Sequence, residues 1–222
     1  MKLIARKHLL VLVAAAALSV PVWAQTAAAG AAAPARTAAK PAAGKPAAVV
    51  MPQPGAYKVD VAHTHAYFFV SHLGVSRFMG RFDDIQGSFT VGESPEKSRV
   101  SVTIPVASIN AKHQKLEEHL KSPDFFDAAQ FPNMHFESSR VRWNARGDGV
   151  LAGNLTIHGV TRPVEFALKV TGAGKGPRGD TRAGFEATLT IKRSDYGMNY
   201  GLPKVVGDAV EINMSVEGVL QQ

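Results

Sequence analysis

Residues 151–170 constrain the fold most strongly, because two segments of alternating apolar and polar residues are joined by His158-Gly159. Successive side chains of a β-strand point to opposite faces, so the alternation predicts an antiparallel hairpin with one apolar and one polar face. The apolar face covers either a packed core or an open lumen, and alternation alone fits both. The residues of the apolar face are Leu151, Leu155, Ile157, Val164, Phe166, Leu168 and Val170.

Residues 1–24 have the three-part pattern of a secretory signal peptide. Three basic residues within the first seven are followed by an apolar run at 9–20 and by a cleavage sequence, Val22-Trp23-Ala24. The run is shorter than the roughly 20 apolar residues that a membrane-spanning helix needs. We therefore expect cleavage after Ala24 and export of the mature protein to the periplasm.

Residues 25–54 consist mainly of Ala, Pro, Gly and Lys, with almost no large apolar side chain. Such a segment cannot bury enough apolar surface to offset the entropy of ordering it. We predict a disordered tether at 25–54 and one folded domain at 55–222. A spacer that contacts the envelope or a partner is the alternative for the tether.

The net charge of +7 belongs mostly to the N-terminal segments. Six Lys and Arg residues lie within residues 1–45 without an acidic residue to balance them, which leaves about +1 for the folded domain. A nucleic-acid-binding domain carries a basic face, so nucleic acid is not an expected partner. The chain contains no Cys, which excludes a disulfide, a thiolate nucleophile and a Cys-ligated metal.

Most of the domain has the two-residue period of β-strands. One short helix is predicted at about 112–121, where Leu116 and Leu120 lie one turn apart. Gly80 and Gly87 indicate bends or bulges in their strand. Eight or nine antiparallel strands with one helix are typical of a sandwich or a closed barrel, which has no unpaired edge strands. The predicted strands are 57–61, 66–70, 78–91, 100–106, 133–143, 150–157, 163–171, 184–194 and 209–220.

Few residues suggest catalysis or metal binding. His63 and His65 would share one face of a strand at a spacing that can hold a metal. Neither an HExxH motif nor a third ligand at a characteristic distance accompanies them. The sequence contains no GxSxG turn and no glycine-rich phosphate loop. We therefore predict no metal site, no cofactor and no enzymatic activity.

Phe125 and Phe126 are adjacent aromatic residues in the predicted loop after the helix. Two large apolar side chains in a loop need a covered position. They form either a plug that seals one end of the core or a mouth for an apolar ligand.

Short motifs follow one another in a fixed order through 55–220: Tyr57-Lys-Val-Asp60 with His63, His72-Leu-Gly-Val-Ser76, Gly80-Arg-Phe82, Gly87-Ser-Phe89, His119-Leu-Lys-Ser-Pro-Asp-Phe-Phe126, Phe131-Pro132, Phe136-Glu-Ser138, Gly153-Asn-Leu-Thr-Ile-His-Gly-Val-Thr-Arg-Pro163 and Arg193-Ser-Asp-Tyr-Gly197. This series resembles the YceI family of exported lipid- or polyisoprenoid-binding proteins. One departure is Leu116-Glu117, where the family often has an Arg-Asp pair before the His-Leu. A salt-bridge role of that pair does not carry over to this chain.

The resemblance implies an all-β fold, a lipocalin-like extended barrel of eight antiparallel strands with one short helix. It also implies a bound isoprenoid or fatty-chain lipid in the lumen in place of a cofactor. The candidate residues of the lumen lining or its mouth are Phe68, Val70, Phe89, Val102, Ile104, Phe125, Phe126, Phe136, Leu155, Ile157, Val164, Phe166, Leu168, Phe185, Leu189, Val210, Ile212 and Met214.

The leading hypothesis is an exported protein that transports, stores or sequesters an apolar chain such as a polyisoprenoid, quinone tail or fatty chain. Peripheral exchange with the membrane or with a membrane quinone protein, and homodimerisation, are the further partnerships considered. Two alternatives stay open. One is a stress-related structural or interaction module with a filled barrel. The other is a redox partner or lipid-modifying enzyme of a membrane quinone system that uses His63, His72 or Asp60.

Overall fold

The computed structural model describes residues 48–222. The predicted signal peptide at 1–24 and residues 25–47 of the predicted tether lie outside the described residues, so both stay predictions. Residues 48–54 form neither helix nor strand. No helix in the described part of the chain has the length and apolar composition needed to cross a membrane.

Residues 48–222 form eleven strand segments in one antiparallel sheet, together with one α-helix, α1 (Gln114–Lys121). The segments are β1 (Gly55–Val59), β2 (His65–His72), β3 (Ser76–Phe82), β4 (Gln86–Val91), β5 (Arg99–Pro105), β6 (Ile109–Asn110), β7 (Asn133–Trp143), β8 (Asp148–Ile157), β9 (Val160–Lys175), β10 (Thr181–Lys192) and β11 (Val206–Leu220).

Six of these segments combine into three long, interrupted strands. β1 and β2 pair with successive parts of β11, β4 and β3 pair with β1 and β2, and β5 and β6 pair with β4 and β3. With β7 to β11, the sheet has eight long strands, and the pairing of β1 with β11 closes it. The predicted eight-stranded antiparallel barrel with one short helix is confirmed, and closure leaves no full-length edge strand exposed.

The β8–β9 hairpin has the predicted turn. His158 and Gly159 adopt φ angles of 50° and 72°, the pair of positive values that defines a two-residue type I′ turn. The turn pairs Ile157 with Val160, and the apolar ladder of Leu151, Leu155 and Ile157 is buried. Local alternation therefore predicts the two strands of this hairpin and the position of its turn.

The predicted strand at 78–91 is interrupted at residues 83–85, between β3 and β4. Gly87 has a φ of 146° and lies so close to Ser101 that a Cβ atom would collide with the Ser101 carbonyl oxygen. The bulge predicted at Gly80 is wrong, because β3 pairs with β2 in unbroken register through this residue. A Cβ atom at Gly80 would collide with the Phe68 ring, so this glycine makes room for an aromatic side chain inside the barrel.

Helix α1 begins two residues later than predicted, because Lys112 has a φ of 60°, which lies outside the α-helical region. The Glu117 side chain accepts a hydrogen bond of 2.9 Å from the Ala111 amide. Leu116-Glu117, the departure from the family pattern, therefore has a local role: Glu117 holds the chain that enters the helix.

The strands run between two ends of the barrel. One end carries α1, the β2–β3 turn, the β8–β9 turn and residues 193–206, and we call it the helix end. The main apolar cluster lies inside the barrel and includes Leu120, Phe125, Phe136 and Phe166.

Candidate ligand-binding cavity

A cavity of about 580 Å³ lies inside the barrel. It falls within the range of about 300–1,000 Å³ that is typical of small-molecule sites. Its wall is apolar because the inward side chains of all eight long strands are mostly aliphatic or aromatic. The barrel therefore has an open lumen and is not a fully packed core.

Sixteen of the eighteen predicted lining residues border this cavity: Phe68, Val70, Phe89, Val102, Ile104, Phe125, Phe126, Phe136, Leu155, Ile157, Phe166, Leu168, Phe185, Val210, Ile212 and Met214. Val164 and Leu189 do not border it, although both pack against the main apolar cluster. Parity along a strand determines which face a side chain takes but not whether open space lies in front of it. Contact of these residues with a ligand stays a prediction.

Several lining residues were missed by the sequence prediction, although most carry the same signal as those found. Phe78, Phe82, Val100, Leu151 and Ile191 have the inward parity of the predicted ladders. Trp143 also borders the cavity, but a register shift between Ser138 and Arg140 reverses the parity of β7 before it, so alternation from Phe136 does not predict it. Leu116 and Leu120 of α1 also border the cavity, since the helix covers one end of the barrel.

Phe125 and Phe126 line the helix end of the cavity. The Phe125 ring lies 5.2 Å from the Tyr200 ring, and the Phe126 ring meets Phe82 edge to face at 5.7 Å. Edge-to-face and tilted contacts at these distances stabilise aromatic clusters. The two side chains thus link the loop after α1 both to the barrel interior and to residues 199–205.

Arg193 is a charged residue on the cavity lining, and it is only 3% exposed. Its guanidinium donates four hydrogen bonds of 2.7–2.8 Å to backbone carbonyl oxygens, and burial lowers the pKa of this group below its ordinary value. Two acceptors lie in the loop between β10 and β11 and two at the start of β11, so Arg193 ties that loop and the start of β11 to the end of β10. The acceptors belong to Met198, Tyr200, Val206 and Gly207.

Next to it, Asp208 accepts hydrogen bonds of 2.9 Å from both the backbone amide and the hydroxyl of Ser194. The hydrogen bond from the Ser194 amide is the main cause of the lowered pKa of Asp208. Hydrogen bonds from Arg193 to Gly207 and from Ser194 to Asp208 thus join the two ends of residues 193–208. No periodic pattern in the sequence signals this arrangement.

His63 and His65 do not form the predicted pair on one strand face. His63 lies in a 3₁₀ turn, where its Nδ1 is 2.9 Å from the Asp60 carboxylate, whereas His65 begins β2. Asp60, His63 and Glu217 place possible ligand atoms within 4.8 Å of one another. However, the Arg182 guanidinium donates to both carboxylates, so a positive charge already lies between them.

This cluster makes stability depend on pH. Hydrogen bonds from His63 and Arg182 lower the pKa of Asp60 below its ordinary value of 3.8. The resulting stabilisation is complete above the unfolded-state pKa and is lost as the pH falls towards the lower folded-state value. We expect Asp60→Asn to destabilise the fold near pH 7, with a difference from the wild type that shrinks as the pH falls below about 5.

Urea unfolding over this pH range measures the effect. Asp195→Asn, at an exposed aspartate of the helix end, is the matched control and is expected to change stability little. An Asp60→Asn deficit that stays constant with pH would contradict the assigned role of the carboxylate.

The chain matches the family model described as a YceI-like domain over residues 57–218. A UPF0312 protein of Pseudomonas paraeruginosa is 41% identical over 169 residues, which cover 74% of this chain and 87% of the relative. A UPF0312 protein of Yersinia enterocolitica is 42% identical over 166 residues, covering 73% and 85%.

Solved structures share the barrel. The YceI protein of Campylobacter jejuni is 28% identical, with a TM-score of 0.60 over 68% of this chain and 90% of that one. BcnA of Burkholderia cenocepacia has a TM-score of 0.64 at 23% identity, covering 72% and 98%. A domain from Saccharophagus degradans, described as a polyisoprenoid binding domain, has a TM-score of 0.61 at 17% identity, covering 75% and 99%. The last two show the fold alone. From the family match and the two bacterial relatives, the chain belongs to the YceI-like family.

Proposed function

We propose that this protein binds a long apolar chain inside its barrel and transports, stores or sequesters it. A polyisoprenoid, a quinone tail or a fatty chain has the required chemistry. The observation that carries the proposal is the apolar cavity of about 580 Å³. A barrel that served only as a structural module would gain stability by filling this space, since empty apolar volume costs packing energy.

The energetics support a long, unbranched or isoprenoid chain. Each buried CH₂ group contributes about 0.8 kcal/mol, so a modest number of carbons provides useful affinity. Ordering of the chain and imperfect contacts offset part of this gain, and non-covalent affinity does not exceed about 18–21 kcal/mol. Among the buried lining residues, the charged group of Arg193 is already hydrogen-bonded to the backbone. The buried wall therefore favours an apolar chain.

The proposed periplasmic location and the proposed non-enzymatic role both rest on the sequence. A signal peptide at 1–24 directs the proposed function to the periplasm. We propose a binding protein instead of an enzyme because no motif for nucleophilic, metal or phosphate chemistry accompanies the ladders. The alternative of a quinone redox partner draws on His72, which borders the cavity, whereas His63 faces the Asp60 cluster.

Trp143 offers a direct test, because it borders the cavity and is the single tryptophan of residues 48–222. Adding an isoprenoid quinone to the purified protein is expected to quench Trp143 fluorescence in a saturable way. Protein purified from its native host is expected to release an apolar lipid into organic solvent, identified by mass spectrometry. The absence of both saturable quenching and a co-purified lipid would contradict the proposal.

A matched variant guards against a fluorescence artefact. Trp143→Phe keeps an aromatic side chain at the cavity wall but removes the signal. It is expected to retain the extractable lipid while losing the quenching. Quenching that occurs equally with free tryptophan would show that the signal does not report binding.

A further inference from the structure

Two segments at the helix end carry large apolar side chains that face solvent. In the β2–β3 turn, Leu73 and Val75 are 55% and 85% exposed; in residues 199–205, Tyr200 and Val205 are 44% and 43% exposed. The segments lie together, because the Leu73 amide donates a 2.8 Å hydrogen bond to the Val205 carbonyl oxygen. We call these four residues the apolar rim.

The β2–β3 turn has an unusual composition for its geometry. Leu73 and Gly74 have φ angles of 54° and 66°, a type I′ turn that normally favours polar Asn or Asp before Gly. The β8–β9 turn has the same geometry, but there His158 packs on Phe131, with ring centroids 4.9 Å apart, and hydrogen-bonds to Tyr196. Leu73 adopts a conformation disfavoured for residues with a side chain and stays exposed. Internal packing does not account for it.

The apolar rim lies beside the cavity. His72 and Ser76 flank the exposed turn, and both are themselves exposed and border the cavity. Val206, which follows the rim residue Val205, borders the cavity as well. The cavity therefore reaches the protein surface next to the apolar rim.

The two segments that carry the rim have a net positive charge. Residues 71–77 and 199–206 contain no acidic residue. Arg77 is paired with Glu211, whereas exposed Lys204 forms no ion pair within the described residues. A bilayer with anionic headgroups offers both an apolar boundary for the rim and negative charge for the Lys204 ammonium.

We propose that the apolar rim inserts into the surface of an anionic lipid bilayer and holds the mouth of the cavity against it. This inference rests on the proposed function, since it names the membrane as the place where the bound chain is exchanged. A chain that moves directly between bilayer and cavity does not cross water. The rim contributes apolar burial, and Lys204 contributes attraction to the headgroups, which together suit reversible attachment.

Flotation with lipid vesicles tests the proposal. Purified protein is expected to float with vesicles of phosphatidylcholine and phosphatidylglycerol, and more weakly with phosphatidylcholine alone. Val75→Asp is expected to lower the affinity by about tenfold or more, because a charge replaces an inserted apolar side chain. Lys204→Glu is expected to weaken binding only to the anionic vesicles. Val61→Asp changes an exposed valine between β1 and β2 and is the matched control, expected to bind as the wild type does.

Quinone uptake in vesicle-free solution, followed by Trp143 fluorescence, separates this proposal from the proposed function. Normal uptake by Val75→Asp together with lost flotation supports docking. Wild-type protein that does not float overturns it, as does equal flotation of Val75→Asp and the wild type. A third result also overturns the proposal: the wild type forms a dimer and does not float, and Val75→Asp abolishes the dimer. The rim would then bind a second copy of this chain. Absent quinone uptake by the wild type counts against the proposed function instead.

Discussion

Replacing Arg193 with methionine is expected to destabilise the fold by about 3–5 kcal/mol. Methionine keeps an apolar stem of similar length but leaves four carbonyl oxygens of residues 198–207 without their donor. Each buried, unpaired acceptor costs about 1–3 kcal/mol, and partial hydration of the loosened loop recovers some of this. Arg193→Lys is also expected to destabilise the fold, because one ammonium group cannot donate to four carbonyl oxygens in the directions that a planar guanidinium reaches.

Urea unfolding at neutral pH measures this loss. Arg162→Met is the matched control, because Arg162 is exposed and donates one hydrogen bond of 3.1 Å to the backbone of Asp195 in the neighbouring segment. We expect the control to stay within about 0.5 kcal/mol of the wild type. An Arg193→Met protein as stable as the control would show that the 198–207 loop does not depend on the guanidinium.

Placing a bulky side chain in the middle of the lumen is expected to abolish ligand uptake. Ala187 is buried, borders the cavity and lies opposite Met214 and Leu168 in the sheet. In Ala187→Phe the ring projects into the space that an apolar chain would occupy. We expect the apparent affinity for an isoprenoid quinone, measured by Trp143 fluorescence, to fall by about tenfold or more, equivalent to about 1.4 kcal/mol.

The neighbouring strand provides the control for this variant. Ala167 is close to Ala187 in the sheet, pairing with Thr188, but its side chain is exposed on the outer face of the barrel. Ala167→Phe therefore adds the same ring outside the lumen and is expected to bind quinone normally. Overpacking at Ala187 costs about 1–3 kcal/mol at most sites, so thermal unfolding is measured in parallel. Normal uptake by a folded Ala187→Phe protein would place the ligand outside the cavity.

Much of the barrel wall was predictable because it follows from a local rule. Residues such as Leu155 and Phe166 alternate with polar neighbours, and alternation on a strand assigns each side chain to one face. The same rule extends to lining residues that were missed, such as Phe78 and Ile191. It fails for Trp143, because a register shift between Ser138 and Arg140 reverses the parity of β7. It does not show that Val164 and Leu189 lie away from open space, because that depends on side chains of other strands.

The non-periodic parts of the site could not be obtained in this way. Arg193 meets its carbonyl acceptors only because residues 198–207 fold back over the end of β10. The sequence does not reveal why position 80 is a glycine, because the side chain that fills the space in front of it, Phe68, lies on another strand. The shared strand face considered for His63 and His65 does not form, because a 3₁₀ turn places His63 off the strand.

The sequence by itself determined the near-neutral charge of the domain, the β8–β9 hairpin and the apolar character of the inner wall. It also predicts the export signal at 1–24. These features depend on composition or on backbone periodicity within one segment. Only the tertiary structure decided that the wall encloses about 580 Å³ of open space and that Leu73 meets Val205 beside its mouth. The physical reason is that strand register and closure bring distant segments together, and their packing determines where volume stays empty.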